Sequence, residues 1–150
     1  MFDLQELYQE VLMDHNRRPR NFRRLEGANQ TAEGFNPLCG DEITLYLRLE
    51  DDVVTEVGFQ AVGCAISKAS ASMMTENIKG KEKAEVEKIS HMFRRMVTRE
   101  PLDDSEVEAL GDLESLGGVS AYPARIKCAV LSWHTLQAAL NGSKESISTE

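Results

Sequence analysis

The sequence predicts an α+β fold in which a small antiparallel β-sheet of about three strands is covered by helices. Residues 43–49 and 53–61 each alternate between apolar and polar side chains, as half-buried strands do, and the acidic loop 50–52 between them suits a hairpin. From Cys64 onward the apolar residues recur every three or four positions instead, which is the period of an amphipathic helix. On the buried face of the hairpin we place Ile43, Leu45, Leu47 and Leu49 of one strand and Val53, Val57, Phe59 and Ala61 of the other.

The remaining elements follow from apolar periodicity, with proline and glycine marking their ends. Apolar residues at helical spacing over 4–12 predict a first helix, and Pro19 ends it because the residue before a proline disfavours the helical region. A short strand over 31–36 has the weakest pattern. The later elements are a helix from Cys64 to Gly80, a helix over 82–98, a short acidic helix over 103–110, a flexible joint at Gly117–Gly118 and a last helix from Pro123 to Gly142.

The length of 150 residues predicts one domain, over residues 1–142, and the Ser-rich end over 143–150 predicts a disordered tail. No apolar run reaches the roughly 18 residues that a membrane span needs. Residues 1–6 lack the charged and apolar regions of a signal peptide. We therefore expect a cytoplasmic protein that does not interact with a membrane.

The overall charge argues against one class of partner. A net charge of −8 is unsuited to general binding of nucleic acid, whose phosphates attract a basic surface. One basic cluster stands out, and it has two interpretations: a docking patch for an acidic partner, or a solvated surface with structural ion pairs. The cluster consists of Arg17, Arg18, Arg20, Arg23 and Arg24.

Three cysteines in distinctive settings carry most of the chemical information. Cys39 lies in Asn-Pro-Leu-Cys-Gly-Asp, Cys64 in Val-Gly-Cys-Ala-Ile-Ser and Cys128 in Arg-Ile-Lys-Cys-Ala. Their odd number and wide spacing argue against a disulfide framework. With Asp41 as an oxygen donor, three thiolates and one carboxylate can fill a four-coordinate shell for zinc or an iron–sulfur cluster. From the residues alone, the alternative that each cysteine is a small buried core residue stays open.

The predicted elements place these cysteines where ionisation is favoured. Cys64 falls at the start of a helix and Cys128 in the first turns of another, so the positive end of the helix dipole favours thiolate at both. Arg125 and Lys127 are expected to lower the pKa of Cys128 further. His134 is six residues from Cys128, on a different side of the helix, so the two do not form a nucleophile–base pair. The sequence also has no glycine-rich nucleotide-binding loop.

The motifs around the cysteines resemble those of the U-type iron–sulfur cluster assembly proteins, the NifU N-terminal or IscU-like family. The likeness covers most of the chain, and it is specific because several motifs occur together. The matching segments are residues 8–15 and 18–21 near the start, 36–41 around the first cysteine, and 63–67 with 69–74 around the second.

Further features are similar to the SufU-like branch of that family. Lys127 stands where the cluster scaffolds usually carry a histidine, and residues 121–126 lack the Leu-Pro-Pro-Val-Lys motif that recruits a chaperone to those scaffolds. The segment between the second and third cysteines is longer than in the scaffolds, and residues 99–118 are the natural place for the extra length. The residues most similar to this branch are Arg125, Ile126, Lys127, Cys128 and Trp133.

The resemblance implies a fold, a metal and a reaction. It implies an IscU-like α+β fold and a zinc ion bound by Cys39, Asp41, Cys64 and Cys128. It implies that Cys39 accepts sulfur as a persulfide from a pyridoxal-phosphate cysteine desulfurase of the SufS type, a step that involves Arg125. The sulfur would then pass to a downstream Suf-type cluster assembly complex.

Two other functions fit the same residues. In the first, the cysteines hold a transient [2Fe–2S] cluster, and the protein is a scaffold rather than a sulfurtransferase. Lys127 counts against this function because a protonated lysine is a poor iron ligand. In the second, a zinc ion is purely structural and only stabilises the fold, so that loss of the metal would abolish folding and activity together.

Overall fold

The computed structural model of the protein describes residues 4–142 and 147–148. In this part of the chain the helices are α1 (Leu4–Arg17), α2 (Ala65–Ile78), α3 (Lys83–Val97), α4 (Asp104–Leu110) and α5 (Pro123–Leu140), with a 3-10 segment (Gly111–Ala121) between α4 and α5. The strands are β1 (Gln30–Asn36), β2 (Asp41–Glu50), β3 (Val53–Val62) and β4 (Ile147–Ser148).

The sheet has the strand order β3-β2-β1-β4, and its first three strands are antiparallel. This arrangement confirms the predicted α+β class with a small antiparallel sheet, and β1 confirms the short strand expected over 31–36. The predicted disordered tail lies mostly outside the described residues, at 143–146 and 149–150. Within it, Ile147 and Ser148 form β4 and pair in parallel with Gly34 and Phe35 of β1.

One strand differs from the predicted alternation. We placed Val53 on the buried face of β3, but Val54 is the fully buried residue, together with Val57 and Phe59. The cause is an irregularity in the β2–β3 ladder between Arg48 and Leu49, which shifts the register by one residue near the hairpin loop. A one-residue shift exchanges the two faces of a strand, so a constant period of two fails across it.

The helices cover the buried face of the sheet, and α5 lies closest to β1. A Cβ at Gly34 would overlap Oγ1 of Thr135 and lie 3.2 Å from Cδ1 of Leu131, so a side chain at this position would push the helix away. On the other side of α5, the ring of Trp133 stacks on Phe93 of α3 with centroids 4.5 Å apart, and both rings are fully buried. This close packing fixes α5, and with it the third cysteine, against the end of β1.

The extra length before α5 is ordered rather than flexible. We expected a flexible joint at Gly117–Gly118, but both glycines lie inside the 3-10 segment. The side chains of Leu113, Leu116 and Val119 from this segment are buried in the core. Burying three apolar side chains offsets the conformational freedom of the two glycines, so the segment docks as part of the domain.

The N-terminal segment is attached to α2 through polar contacts. Nδ1 of the buried His15 lies 2.7 Å from Oγ of Ser72, and the backbone N–H of Arg20 donates to the same hydroxyl oxygen at 2.8 Å. Arg20 also pairs with Asp14 at 2.6 Å. One arginine of the basic cluster therefore has a structural ion pair. No helix in the described ranges is both long and apolar enough to cross a bilayer.

Candidate metal centre

The first cysteine lies at the tip of the β1–β2 turn. The strands are paired up to Asn36 opposite Asp41, so the four residues between them form a tight connection that the Gly40 N–H closes by donating to the Asn36 carbonyl at 2.9 Å. Cys39 is exposed in this turn, and Asp41 is fully buried at the start of β2. The hairpin therefore presents one sulfur to solvent and one carboxylate to the interior.

The second cysteine caps α2 at its first turn. Sγ of Cys64 accepts a hydrogen bond from the backbone N–H of Ser67 at 3.4 Å, in the position that a serine or aspartate oxygen usually takes. Its own backbone N–H donates to Oδ1 of Asp41 at 2.7 Å, and its Sγ lies 3.9 Å from Oδ2 of that carboxylate. The α2 N-terminus is thus tied directly to the hairpin.

A glycine makes this approach feasible. Gly63 has φ +137°, and a Cβ there would overlap Oδ1 of Asp41 and lie 2.8 Å from its Cα. Only a residue without a side chain lets β3 turn into α2 this close to the carboxylate.

The third cysteine lies in the second turn of α5 and is fully buried. Sγ of Cys128 is 3.6 Å from Sγ of Cys39. One donor atom each from Cys39, Asp41 and Cys128 lies within 4.8 Å of the others, a spacing at which one metal ion can be shared. Cys64 is not part of this group of three, but its Sγ lies 3.9 Å from Oδ2 of Asp41, so the fourth predicted ligand is next to the other three.

The electrostatics of Cys128 differ from the prediction. We expected the helix dipole and nearby cations to lower the pKa of this thiol, but its pKa is raised far above the ordinary value, first by burial and then by Cys64, Cys39 and Asp41. Burial, together with these acidic neighbours, outweighs the effect of the helix end on the thiol. Arg125, three residues earlier on α5, is exposed, and its own pKa is raised chiefly by Cys64 and Cys128.

This donor set fits a metal cation. Three sulfur atoms and one carboxylate, of which Cys128 and Asp41 are fully buried, gather more acidic groups than one exposed guanidinium can balance. A bound cation would balance the negative charge of these donors and remove this conflict. Three cysteines and a carboxylate suit zinc, and the thiolates would equally suit iron of a small cluster.

The sequence pattern assigned no role to Asn36, which proves to be part of this site. Its side chain is fully buried, and its Nδ2 donates to Oδ2 of Asp41 at 3.1 Å and to Sγ of Cys128 at 3.5 Å. The one available signal was its place at the end of a strand, directly before a proline and three residues before Cys39.

Known proteins are similar to this chain in sequence and in fold. The family model for the NifU-like N terminal domain matches residues 7–144. A relative from Bacillus subtilis (strain 168), named zinc-dependent sulfurtransferase SufU, is 45% identical and is aligned over 90% of this chain and 90% of its own. Another, from Streptococcus pyogenes serotype M1, named iron–sulfur cluster assembly scaffold protein IscU, is 37% identical over 93% of this chain and 86% of its own.

Solved structures agree with these matches. A crystal structure from Fervidobacterium islandicum AW-1, described as a candidate iron–sulfur cluster assembly scaffold protein for the SUF system, superposes with a TM-score of 0.83 at 36% identity, covering 92% of this chain and 99% of that one. A nitrogen-fixing NifU-like N-terminal domain from Brucella abortus has the same fold, with a TM-score of 0.81 at 22% identity over 93% of this chain and 95% of that one. The chain belongs to the NifU-like N-terminal domain family of iron–sulfur cluster assembly proteins.

Proposed function

We propose that this protein is a zinc-dependent sulfurtransferase of iron–sulfur cluster biogenesis, with Cys39 as the sulfur acceptor. The observation that carries the proposal is the contrast between two adjacent thiols. Cys39 is exposed at the tip of the turn, whereas Cys128, 3.6 Å away, is buried. Of these two thiols, Cys39 is the one open to a sulfur donor on another protein, and it is also more exposed than Cys64. The name of the 45% identical relative, a zinc-dependent sulfurtransferase, supports the proposed sulfurtransferase function.

The proposed metal is Zn²⁺, held by Cys39, Asp41, Cys64 and Cys128. When bound, zinc supplies positive charge that keeps the thiols ionised, and it does not oxidise them because it has no redox chemistry. The ligands differ in how firmly the fold holds them. Cys64 and Cys128 are fixed by helices, while Cys39 lies in a turn that can move without unfolding an element.

The proposed donor is a persulfide on a pyridoxal-phosphate cysteine desulfurase of the SufS type. The Cys39 thiolate attacks the terminal sulfur of that persulfide. A bond forms between Cys39 Sγ and this sulfur, the S–S bond of the donor breaks, and the donor cysteine leaves as a thiolate. The exchange is balanced without an external oxidant or reductant, and Cys39 ends as a persulfide.

Arg125 is the second residue that we assign to the reaction. It is exposed on the first turn of α5, and the cysteines that raise its pKa, Cys64 before Cys128 and Cys39, place its guanidinium beside the metal centre. A guanidinium stays charged at physiological pH and can pair with an anionic sulfur or a carboxylate. We propose that Arg125 attracts the donor persulfide or an acidic side chain beside it.

The test is sulfur transfer from a cysteine desulfurase, followed by intact-mass spectrometry of this protein. Wild-type protein should gain the mass of one sulfur atom, and the peptide containing Cys39 should carry it. Cys39→Ser should gain none. Leu38→Ser, in the same exposed turn, is the matched control and should still accept sulfur. Full sulfur acceptance by Cys39→Ser would refute the assignment.

A scaffold function is the second candidate, and one observation favours it. The relative named an iron–sulfur cluster assembly scaffold protein is 37% identical over 93% of this chain. In that case the same cysteines would hold a transient [2Fe–2S] cluster. Metal analysis of protein purified without oxygen separates the two. One zinc per chain supports the sulfurtransferase, whereas iron with inorganic sulfide supports the scaffold.

We further propose that the sulfur is passed to a downstream Suf-type assembly complex in the cytoplasm. All three cysteines are free thiols in the structure, and such thiols persist in a reducing compartment. Adding candidate acceptor complexes to persulfidated protein and following loss of the sulfur from Cys39 tests this step.

A further inference from the structure

Asn36 occupies a position that a structural role alone does not explain. It lies at the last residue of β1, opposite Asp41, and its side chain is fully buried. Its amide nitrogen donates to two separate groups of the metal centre, Oδ2 of Asp41 at 3.1 Å and Sγ of Cys128 at 3.5 Å. The amide thereby joins the hairpin to α5 at the metal centre itself.

The oxygen of the same amide differs from its nitrogen. Oδ1 of Asn36 is a buried oxygen without a hydrogen bond among the described residues. Buried polar atoms are usually paired, so an unpaired one is kept for a reason other than stability. Here the reason is the orientation of the amide. Turning it over would bring Oδ1 against the Asp41 carboxylate and the Cys128 sulfur, which would replace two donated hydrogen bonds by repulsion.

We propose that Asn36 is a positioning residue of the metal centre, which holds Asp41 and Cys128 in the arrangement that a cation requires. With Oδ1 of Asp41 fixed by the Cys64 N–H at 2.7 Å and Oδ2 fixed by Asn36, the carboxylate cannot rotate about its bond to Cβ. One N–H leaves further lone pairs on Oδ2 and on Sγ, so both atoms can still bind a metal. Groups behind metal ligands orient them and tune affinity in this way.

This role of Asn36 rests on the proposed zinc site but not on sulfur transfer. If Cys39 proved not to accept sulfur, the role of Asn36 in holding the centre would stand, and the reverse is also true. The test therefore uses metal-binding readouts, which are the dissociation constant for Zn²⁺ in competition with a chromophoric chelator and the visible spectrum of the Co²⁺-substituted protein.

Asn36→Leu removes the amide at similar size, and Gln30→Leu is its matched control. Gln30 lies on the same strand at the end remote from the metal centre, and its amide also donates across to α5, to the carbonyl of Ala139 at 2.7 Å. We expect Asn36→Leu to weaken Zn²⁺ binding by about 10- to 100-fold and to change the Co²⁺ bands. Gln30→Leu should lower the unfolding midpoint of the metal-free protein and leave both metal readouts unchanged.

A second variant keeps the proposal testable if Asn36→Leu fails to fold. Asn36→Asp keeps the shape and replaces the amide donor by an oxygen, so it should also weaken Zn²⁺ binding at neutral pH. Zinc affinity and Co²⁺ bands equal to those of wild type in either folded Asn36 variant would overturn the proposal. Equal weakening of Zn²⁺ binding by Asn36→Leu and Gln30→Leu would also overturn it, because general destabilisation would then account for the effect.

Discussion

Replacing Gly63 by alanine tests how closely the β3–α2 junction approaches the metal centre. The new Cβ would lie 2.8 Å from Cα of Asp41, a backbone atom that cannot swing aside. Because carbon atoms pack at about 3.5–4.0 Å, the two backbones must separate by roughly 0.7–1.2 Å. The φ of +137° adds strain for any residue with a side chain.

These two effects set the expected size of the loss. Backbone strain costs about 1–2 kcal/mol and overpacking about 1–3 kcal/mol, so metal-free Gly63→Ala should lose about 2–5 kcal/mol of unfolding free energy. Metal sites tolerate ligand shifts of only about 0.2 Å, so zinc affinity should fall by about 100-fold or more.

Gly80→Ala is the matched control because Gly80 has φ +83° with no atom within 4 Å of its would-be Cβ. Urea unfolding of the metal-free proteins and chelator competition for zinc provide the assays. We expect Gly80→Ala to lose about 1–2 kcal/mol from strain alone and to bind zinc normally. If Gly63→Ala matched Gly80→Ala in both assays, the close approach to Asp41 would be refuted.

Three further predictions concern other parts of the chain. Burial lowers the pKa of His15 below its ordinary 6.5. Below pH 6.5 the unfolded state therefore binds more protons than the native state. The free energy of unfolding should fall as the pH drops through 6.5. Urea midpoints across this range should be less pH-dependent in His15→Gln, and an unchanged slope would contradict the assignment. Trp133→Ala should lower the unfolding free energy by about 3–5 kcal/mol, because it removes a fully buried ring stacked on Phe93. Urea denaturation measures this loss, and a loss under about 1 kcal/mol would contradict the packing. Arg125→Ala should slow sulfur acceptance about tenfold or more without changing zinc affinity or the unfolding midpoint. A drop in zinc affinity would contradict this role and would make Arg125 part of the metal centre.

Local patterns were sufficient for most of the fold. The alternation over 43–49 and the helical spacing after Cys64 predicted β2 and α2 correctly, since each depends on residues close in sequence. The pattern failed at Val53, where the irregularity in the ladder moved Val54 into the core instead. It also failed at Gly117–Gly118, where burial of neighbouring apolar side chains orders two flexible residues.

The candidate site was likewise predictable from the sequence only in part. Cys39 and Asp41 share one turn, so the sequence alone placed them together. The predicted direction of the pKa shift of Cys128 was wrong. The prediction counted only neighbours in sequence, such as Arg125, and left out first the burial of the thiol and then the acidic groups of the hairpin and of Cys64.

The sequence by itself determined the α+β class, the elements that carry the cysteines, and the membership of the family, because these depend on local periodicity and on motifs. Only the tertiary structure decided which thiol is exposed, how near Cys39 lies to Cys128, and that Asn36 contacts both Asp41 and Cys128. Burial and contact between residues about 90 positions apart arise only when α5 packs on the sheet, and no local pattern in the chain encodes that distance.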